Sequence, residues 1–219
     1  MKRILSLLIA CYCIAIVSSS CRKNFEKGEG SIRTETRVLS AFNKIEVELS
    51  AEVYIYNSTK YEVVVSDYQN LIPLIKTEVN GTKLCIDAKN FTYLRNSKLR
   101  IDIYTPAANQ ININGSATLV YDEVPGLSSL DITINGNGDI SLSKGSATNA
   151  TYKINGSGNI KAAMMKATYV KVDISGSGDV RCYAERELDI EISGSGDVYY
   201  LGNPVVHTSI SGSGNIHKM

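Results

Sequence analysis

The residue types that do chemistry are few in this 219-residue chain, and they are scattered along it. Both histidines, His207 and His217, lie close to the C-terminus. Acidic residues such as Asp131, Asp173, Asp189 and Glu191 are interspersed with Lys153 and Lys171 rather than gathered. Cleaving a polysaccharide needs paired carboxylates on one face, or arginine and lysine collected beside calcium. That pattern is missing, so no catalytic residue is assigned. Gly-Ser-Gly-Asp at 176–179 and 194–197 is similar to the calcium-binding Gly-Gly-x-Gly-x-Asp turn, but that turn belongs to a nonapeptide repeat with two turns per coil. Here one turn serves 18 to 21 residues, and Asn159 and Asn215 lower its charge, so neither a metal nor a cofactor is expected.

Cys21 is the residue with a specific reaction attached to it. Lys2 and Arg3, the apolar stretch from Ile4 to Val17 and the run Ser18, Ser19, Ser20 have the layout of a secretory signal. Fourteen apolar residues fall short of the roughly 20 that cross a bilayer. Ser-Ser-Ser-Cys resembles a bacterial lipobox, although Ser18 stands where Leu, Val or Ile is usual. Leu8-Ile9-Ala10-Cys11 fits that consensus better but leaves too little apolar sequence before it to engage export. Residues 1–20 are therefore expected to be removed and Cys21 to be diacylated, with plain cleavage near Ser20 as the alternative. Each buried methylene adds about 0.8 kcal/mol, so such a lipid makes the membrane a lasting partner. Residues 21–35, charged and without apolar periodicity, read as a flexible tether.

Other candidates concern binding. Tyr121, Tyr169, Tyr183, Tyr199 and Tyr200 could stack on sugars, or simply fill and edge a β-structure; 13 Tyr against 3 Phe and no Trp suits wet strand faces. Cys85 and Cys182 are expected as unpaired buried thiols. A net charge of +1, from 23 basic and 22 acidic residues, supplies no field to attract nucleic acid.

The elements that must position these residues are written as a repeat. Ile-Ser-Gly-Ser-Gly-Asn/Asp-Ile/Val begins at Ile210, Ile192 and Ile174, with Asn variants at Ile154 and Ile134 and a weaker copy, Ile113-Asn-Gly-Ser-Ala-Thr-Leu119. The first glycines are spaced by 21, 20, 20, 18 and 18 residues, a repeat signature. Apolar residues alternate before each turn, as in Val170-x-Val172-x-Ile174, and again after it, so each unit reads strand, glycine turn, strand and variable return. Stacked hairpins do not account for the constant phase. The fold is expected to be all-β, a right-handed parallel β-helix or solenoid with about six regular coils over 107–219. Residues 36–106 complete a single domain, 36–219, as a degenerate coil around Val47 and Val53 plus a capping hairpin at Asn80-Gly81. Ala117 replaces the second glycine of the first turn, which should be looser. On the outside, Lys153 faces Asp173 and Lys171 faces Asp189. The chain stops at Met219 without a cap for its last coil, an edge that invites self-association.

The opening Phe42-x-x-Ile-x-Val-x-Leu-Ser-x-x-Val, the Asn80-Gly81-Thr-x-Leu hairpin and the Ile-Asn/Ser-Gly-Ser-Gly-Asp/Asn-Ile/Val repeat together resemble the auto-transporter adhesin, head GIN domain family of Bacteroidota. The resemblance runs from Phe42 to the C-terminus. It implies a β-helical lipoprotein of the cell envelope, at the outer membrane, with a non-catalytic structural or adhesin-like role toward a protein or glycan partner; the family brings no established catalytic residues. A carbohydrate-active β-helix enzyme and an envelope-stress scaffold or sensor are the alternatives.

Overall fold

The computed structural model describes residues 25–89 and 92–219; the expected signal and Cys21 lie outside the described residues. Alternating β-branched and polar residues make strands of most of the described residues. The irregular part holds β1 (Phe25–Lys27), β2 (Ile32–Val38), β3 (Lys44–Val47), β4 (Glu52–Asn57), β5 (Glu62–Tyr68), β6 (Ile75–Asn80), β7 (Lys83–Ala88), β8 (Tyr93–Arg95) and β9 (Arg100–Thr105). The regular part holds β10 (Gln110–Gly115), β11 (Thr118–Tyr121), β12 (Val124–Gly136), β13 (Asp139–Leu142), β14 (Gly145–Gly156), β15 (Asn159–Gly176), β16 (Val180–Gly194), β17 (Val198–Leu201), β18 (Val205–Gly212) and β19 (Ile216–Lys218).

These strands wind into a β-solenoid. Its first wall runs β6-β7-β3-β10-β12-β14-β15-β16-β18, and its second runs β2-β5-β9-β4-β11-β13-β15-β16-β17-β19. From β7 and β9 onward all neighbours are parallel. The expected isoleucine ladder is continuous, from Ile113 through Ile134, Ile154, Ile174 and Ile192 to Ile210, and it extends back through Val47 to Ile86. All but Ile210 are buried. Burying such a side chain contributes about 1.5–3 kcal/mol, and this is what stacks coils too short to have a core of their own.

The returns differ from expectation. Residues expected as variable connections form a third wall, with Val124 opposite Gly145, Ala147 opposite Ala167 and Ala167 opposite Ala184. Ala147, Ala167 and Ala184 are its small buried residues. Variation in repeat length is absorbed here: Lys161 faces Arg181, 20 residues on, whereas Lys166 faces Tyr183, 17 residues on, and the surplus leaves Met164 70% exposed. The glycine corner thus stays in register while the period falls from 20 to 18.

The N-terminal part also departs from a single degenerate coil. β3 and β4 form one coil and β7 with β9 another, stacked out of sequence order: β7–β9 lies outermost, β3–β4 next and β10–β11 after it. The connection at 106–109 crosses the β3–β4 coil and is pinned to it by Asn109 N donating to Asn43 O (2.8 Å) and Thr105 Oγ1 to Phe42 O (3.3 Å). The end of the rod is capped by antiparallel β6 on β7 and by β5, then β2, on β9. A short 3-10 turn at Ile72–Leu74 brings buried Leu71 and Ile72 to this end. Arg37 of β2 locks it by donating to Ile75 O (2.8 Å), Ile72 O (3.2 Å) and Thr77 Oγ1 (3.2 Å). Within the span expected as a tether, Phe25–Lys27 and Ile32–Val38 are strands, because β1 pairs with β8 and β2 with β5.

The glycine turns are set by close approach of the backbone. Gly176 has φ 141°, and a side chain there, or at Gly178, would drive into the carbonyl of the coil beneath, Gly156 or Gly158. Ala117 does not loosen its turn: it is fully buried and its carbonyl still accepts Asp139 N at 3.0 Å. The coil beneath turns without glycine and stands off, so that a side chain at Gly115 would meet only Leu49 O, at 4.0 Å.

Candidate functional site

Parallel strands carry equivalent residues past one another at about 4.8 Å, so outward side chains form columns along the rod. In the glycine corner the column is polar. Asp139 Oδ1 accepts Asn159 N (3.0 Å), Asn159 Oδ1 accepts Asp179 N (3.2 Å), Asp179 Oδ1 accepts Asp197 N (3.0 Å) and Asp197 Oδ1 accepts Asn215 N (2.8 Å). These acids and amides hold coil to coil.

On the first wall Lys153 pairs with Asp173 at 3.3 Å, as expected. Lys171 does not pair with Asp189, although the two are opposite in register; it reaches diagonally to Glu191 at 3.1 Å. Asp189 is left beside Glu187 and His207, whose Nε2 lies 3.5 Å from Glu187 Oε1. One donor atom from each of the three comes within 4.8 Å of the others. Two carboxylates and an imidazole could share a divalent cation. The group is open to water, however, and the contact between His207 and Glu187 accounts for its geometry. It borders two shallow clefts of about 290 and 410 Å³, edged by Tyr169.

The tyrosines sort by face. Tyr121 is fully buried, because it follows Leu119 by two and shares its inward parity; its hydroxyl accepts Ala108 N at 3.0 Å, and burial pushes its pKa up. It is therefore no sugar platform. Tyr199 stacks on His217 (4.8 Å between centroids) and lies beneath the Arg181 guanidinium (4.9 Å), so both of its ring faces are taken. Tyr169 remains the most exposed of the five, at 39%. A second group went unrecognised in the sequence: Tyr56 stacks on Tyr104 (5.3 Å) and Tyr54 (6.4 Å), with Arg100 over Tyr54 (4.2 Å). Its signal was there, in Tyr54-x-Tyr56 and Tyr104 at outward positions of strands whose pairing was not foreseen. These rings spend their faces on one another.

Cys85 and Cys182 are unpaired among the described residues. Cys182 is buried, and desolvation pushes its pKa up to about 12; Tyr152, buried in the same core, is raised well above the usual phenol value by the same cause, with Cys182 adding to it. Cys85 corrects the expectation of a buried thiol: it is half-buried on the outward side, 3.8 Å from Glu46 Oε2. Hydrogen bonding from Lys83 holds the Glu46 carboxyl below the usual range. A cleft of about 520 Å³ opens at the capped end between Glu48, Asp87, Thr92 and Asn96. At the opposite end none of the described residues covers the last coil. Val205 is 62% and Ile210 43% exposed, and no strand pairs with the outer edges of β18 and β19 among the described residues.

A capped, stacked β-solenoid with a polar exterior and an open terminal coil is a repeat-built rod. The family described as "Putative auto-transporter adhesin, head GIN domain" matches residues 41–204, and the chain belongs to it. Among solved structures, a "putative adhesin" from Bacteroides fragilis is 25% identical, with a TM-score of 0.73 over 89% of this chain and 100% of that one. A "putative lipid binding protein" from Parabacteroides distasonis is 24% identical, with a TM-score of 0.60 over 90% and 100%. A "putative adhesin" from the same species is 20% identical, with a TM-score of 0.53 over 90% and 100%. The latter two likenesses speak to the fold alone. No curated protein matches the chain. Among the described residues no helix is long and apolar enough to cross a membrane.

Proposed function

We propose that this protein is a non-catalytic, adhesin-like binding module of the cell envelope, anchored in the outer membrane by lipid on Cys21. The observation that carries the reading is the polarity of the rod. The N-terminal strands β1 and β2 join the capped end, whereas β18 and β19 form the opposite end. Eight stacked strands of the second wall, β9 to β19, separate the two ends among the described residues, about 34 Å at roughly 4.8 Å per step. An anchor just before β1 holds the capped end near the membrane and leaves the open coil farthest from it. The family of adhesins supports the binding role.

Growth with a radiolabelled fatty acid, followed by envelope fractionation, tests the anchor. The protein should carry label and sediment with outer membrane, and Cys21→Ala should abolish the label. An unlabelled soluble protein would defeat the reading. Protease added to intact cells then reports which side of that membrane bears the rod.

A further inference from the structure

The two ends of the rod treat their free edges differently. At the capped end the outermost strands bear alternating charges, Arg33, Glu35 and Arg37 on β2 and Lys76 and Glu78 on β6. Charged side chains on an edge discourage a further strand from pairing. β18 at the other end reads Val-Val-His-Thr-Ser-Ile-Ser-Gly, with no Asp, Glu, Lys or Arg. Each wall-one strand from β12 to β16 carries at least one: Asp131, Lys153, Lys171 with Asp173, Asp189 with Glu191. β10 lacks one as well, but it is paired on both sides, so among the described residues β18 is the first-wall strand that combines an open edge with no charge.

We propose that β18 pairs antiparallel with β18 of a second copy, joining two rods open end to open end about a twofold axis at Thr208. Side chains alternate, so a register must set inward residues against inward ones. The inward set of β18 is Val206, Thr208 and Ile210, which continue the columns of Leu188, Ile190 and Ile192. Placing Thr208 opposite its twin pairs residues 205–211 in full. It sets Val206 against Ile210 on the core side and His207 against Ser209 outside. Apolar meets apolar, and no like charges face each other along the strand. Head-to-tail growth would instead lay β18 on charged β2 or β6, so the contact closes at two copies. This names a partner for the end that the proposed function presents, and rests on that reading only for the end being free of the anchor.

Residues 21–219 with Cys21→Ser, which retain every described strand, keep lipidation out of the test. Sedimentation equilibrium over a wide concentration series should show monomer and dimer only, with little dependence on salt. Ile210→Lys, at a half-exposed site, should weaken the dimer by about tenfold or more while leaving the melting of the monomer in place. In a Cys85→Ser background, Thr208→Cys should give a disulfide-linked dimer under mild oxidation, and Ser141→Cys, on the second wall, should not. A monomer at all concentrations, growth beyond dimers, or an association indifferent to Ile210→Lys would overturn the proposal.

Discussion

Asp67 is the side chain on which a whole turn depends. It is fully buried, yet accepts Ser97 Oγ (2.6 Å), Lys98 N (2.9 Å) and Tyr68 N (2.8 Å), tying β5 to the segment that leads into β9. Asp67→Ala strands those donors and should cost about 3 kcal/mol, read as a lowered urea midpoint at unchanged slope. Asp67→Asn should recover part of it. Cys182 makes the opposite statement about charge. Its folded pKa is raised, from the ordinary 9.0 to about 12, so its contribution is fully present below pH 9 and is lost as the pH rises toward 12. Chemical denaturation over that window should show the wild type losing up to about 1.4 kcal/mol per pH unit relative to Cys182→Ala. Parity in the sequence was enough to place Cys182 inside, two residues after Val180. The same parity would have placed Tyr121 inside, had its ring not suggested a surface role. The meeting of Glu187, Asp189 and His207 could not be read so, because it depends on Lys171 choosing a diagonal partner.

Among the elements, the glycine corners were legible and the walls between them less so. A repeat of identical turns announces its own stacking. Strands that all alternate in the same way say nothing about which neighbour each one takes, so the exchanged order of the β3–β4 and β7–β9 coils had no signal in residues 36–106. The third wall was hidden for a related reason: its inward residues are mostly Ala, and its length varies. Two substitutions separate turn chemistry from crowding. Gly178→Ala would press a methyl group onto the Gly158 carbonyl and should destabilise by about 1–3 kcal/mol in thermal melts. Gly81→Ala, at φ 64° in the hairpin turn with nothing within 4 Å, meets no such contact and should cost about 1 kcal/mol from backbone strain alone.

For the whole molecule, stability in a solenoid is close to a sum over coils and their interfaces. Ending the chain at Gly202 should therefore leave a folded rod, slightly less stable, with Asp189 and Glu191 now on its last complete first-wall strand. Circular dichroism should keep its β signature and sedimentation should show a monomer, since the new edge carries the charges that β18 lacks. The exchanged coils bear on the order in which such a chain can fold. The β3–β4 coil lies between two coils made after it, so residues 44–57 emerge with neither flank available and cannot be enclosed until residue 121 has followed. From then on each further segment of about twenty residues finds a finished surface waiting. A chain folding from its N-terminus must therefore wait through its first half, whereas its second half can add coil by coil, each on the one before it.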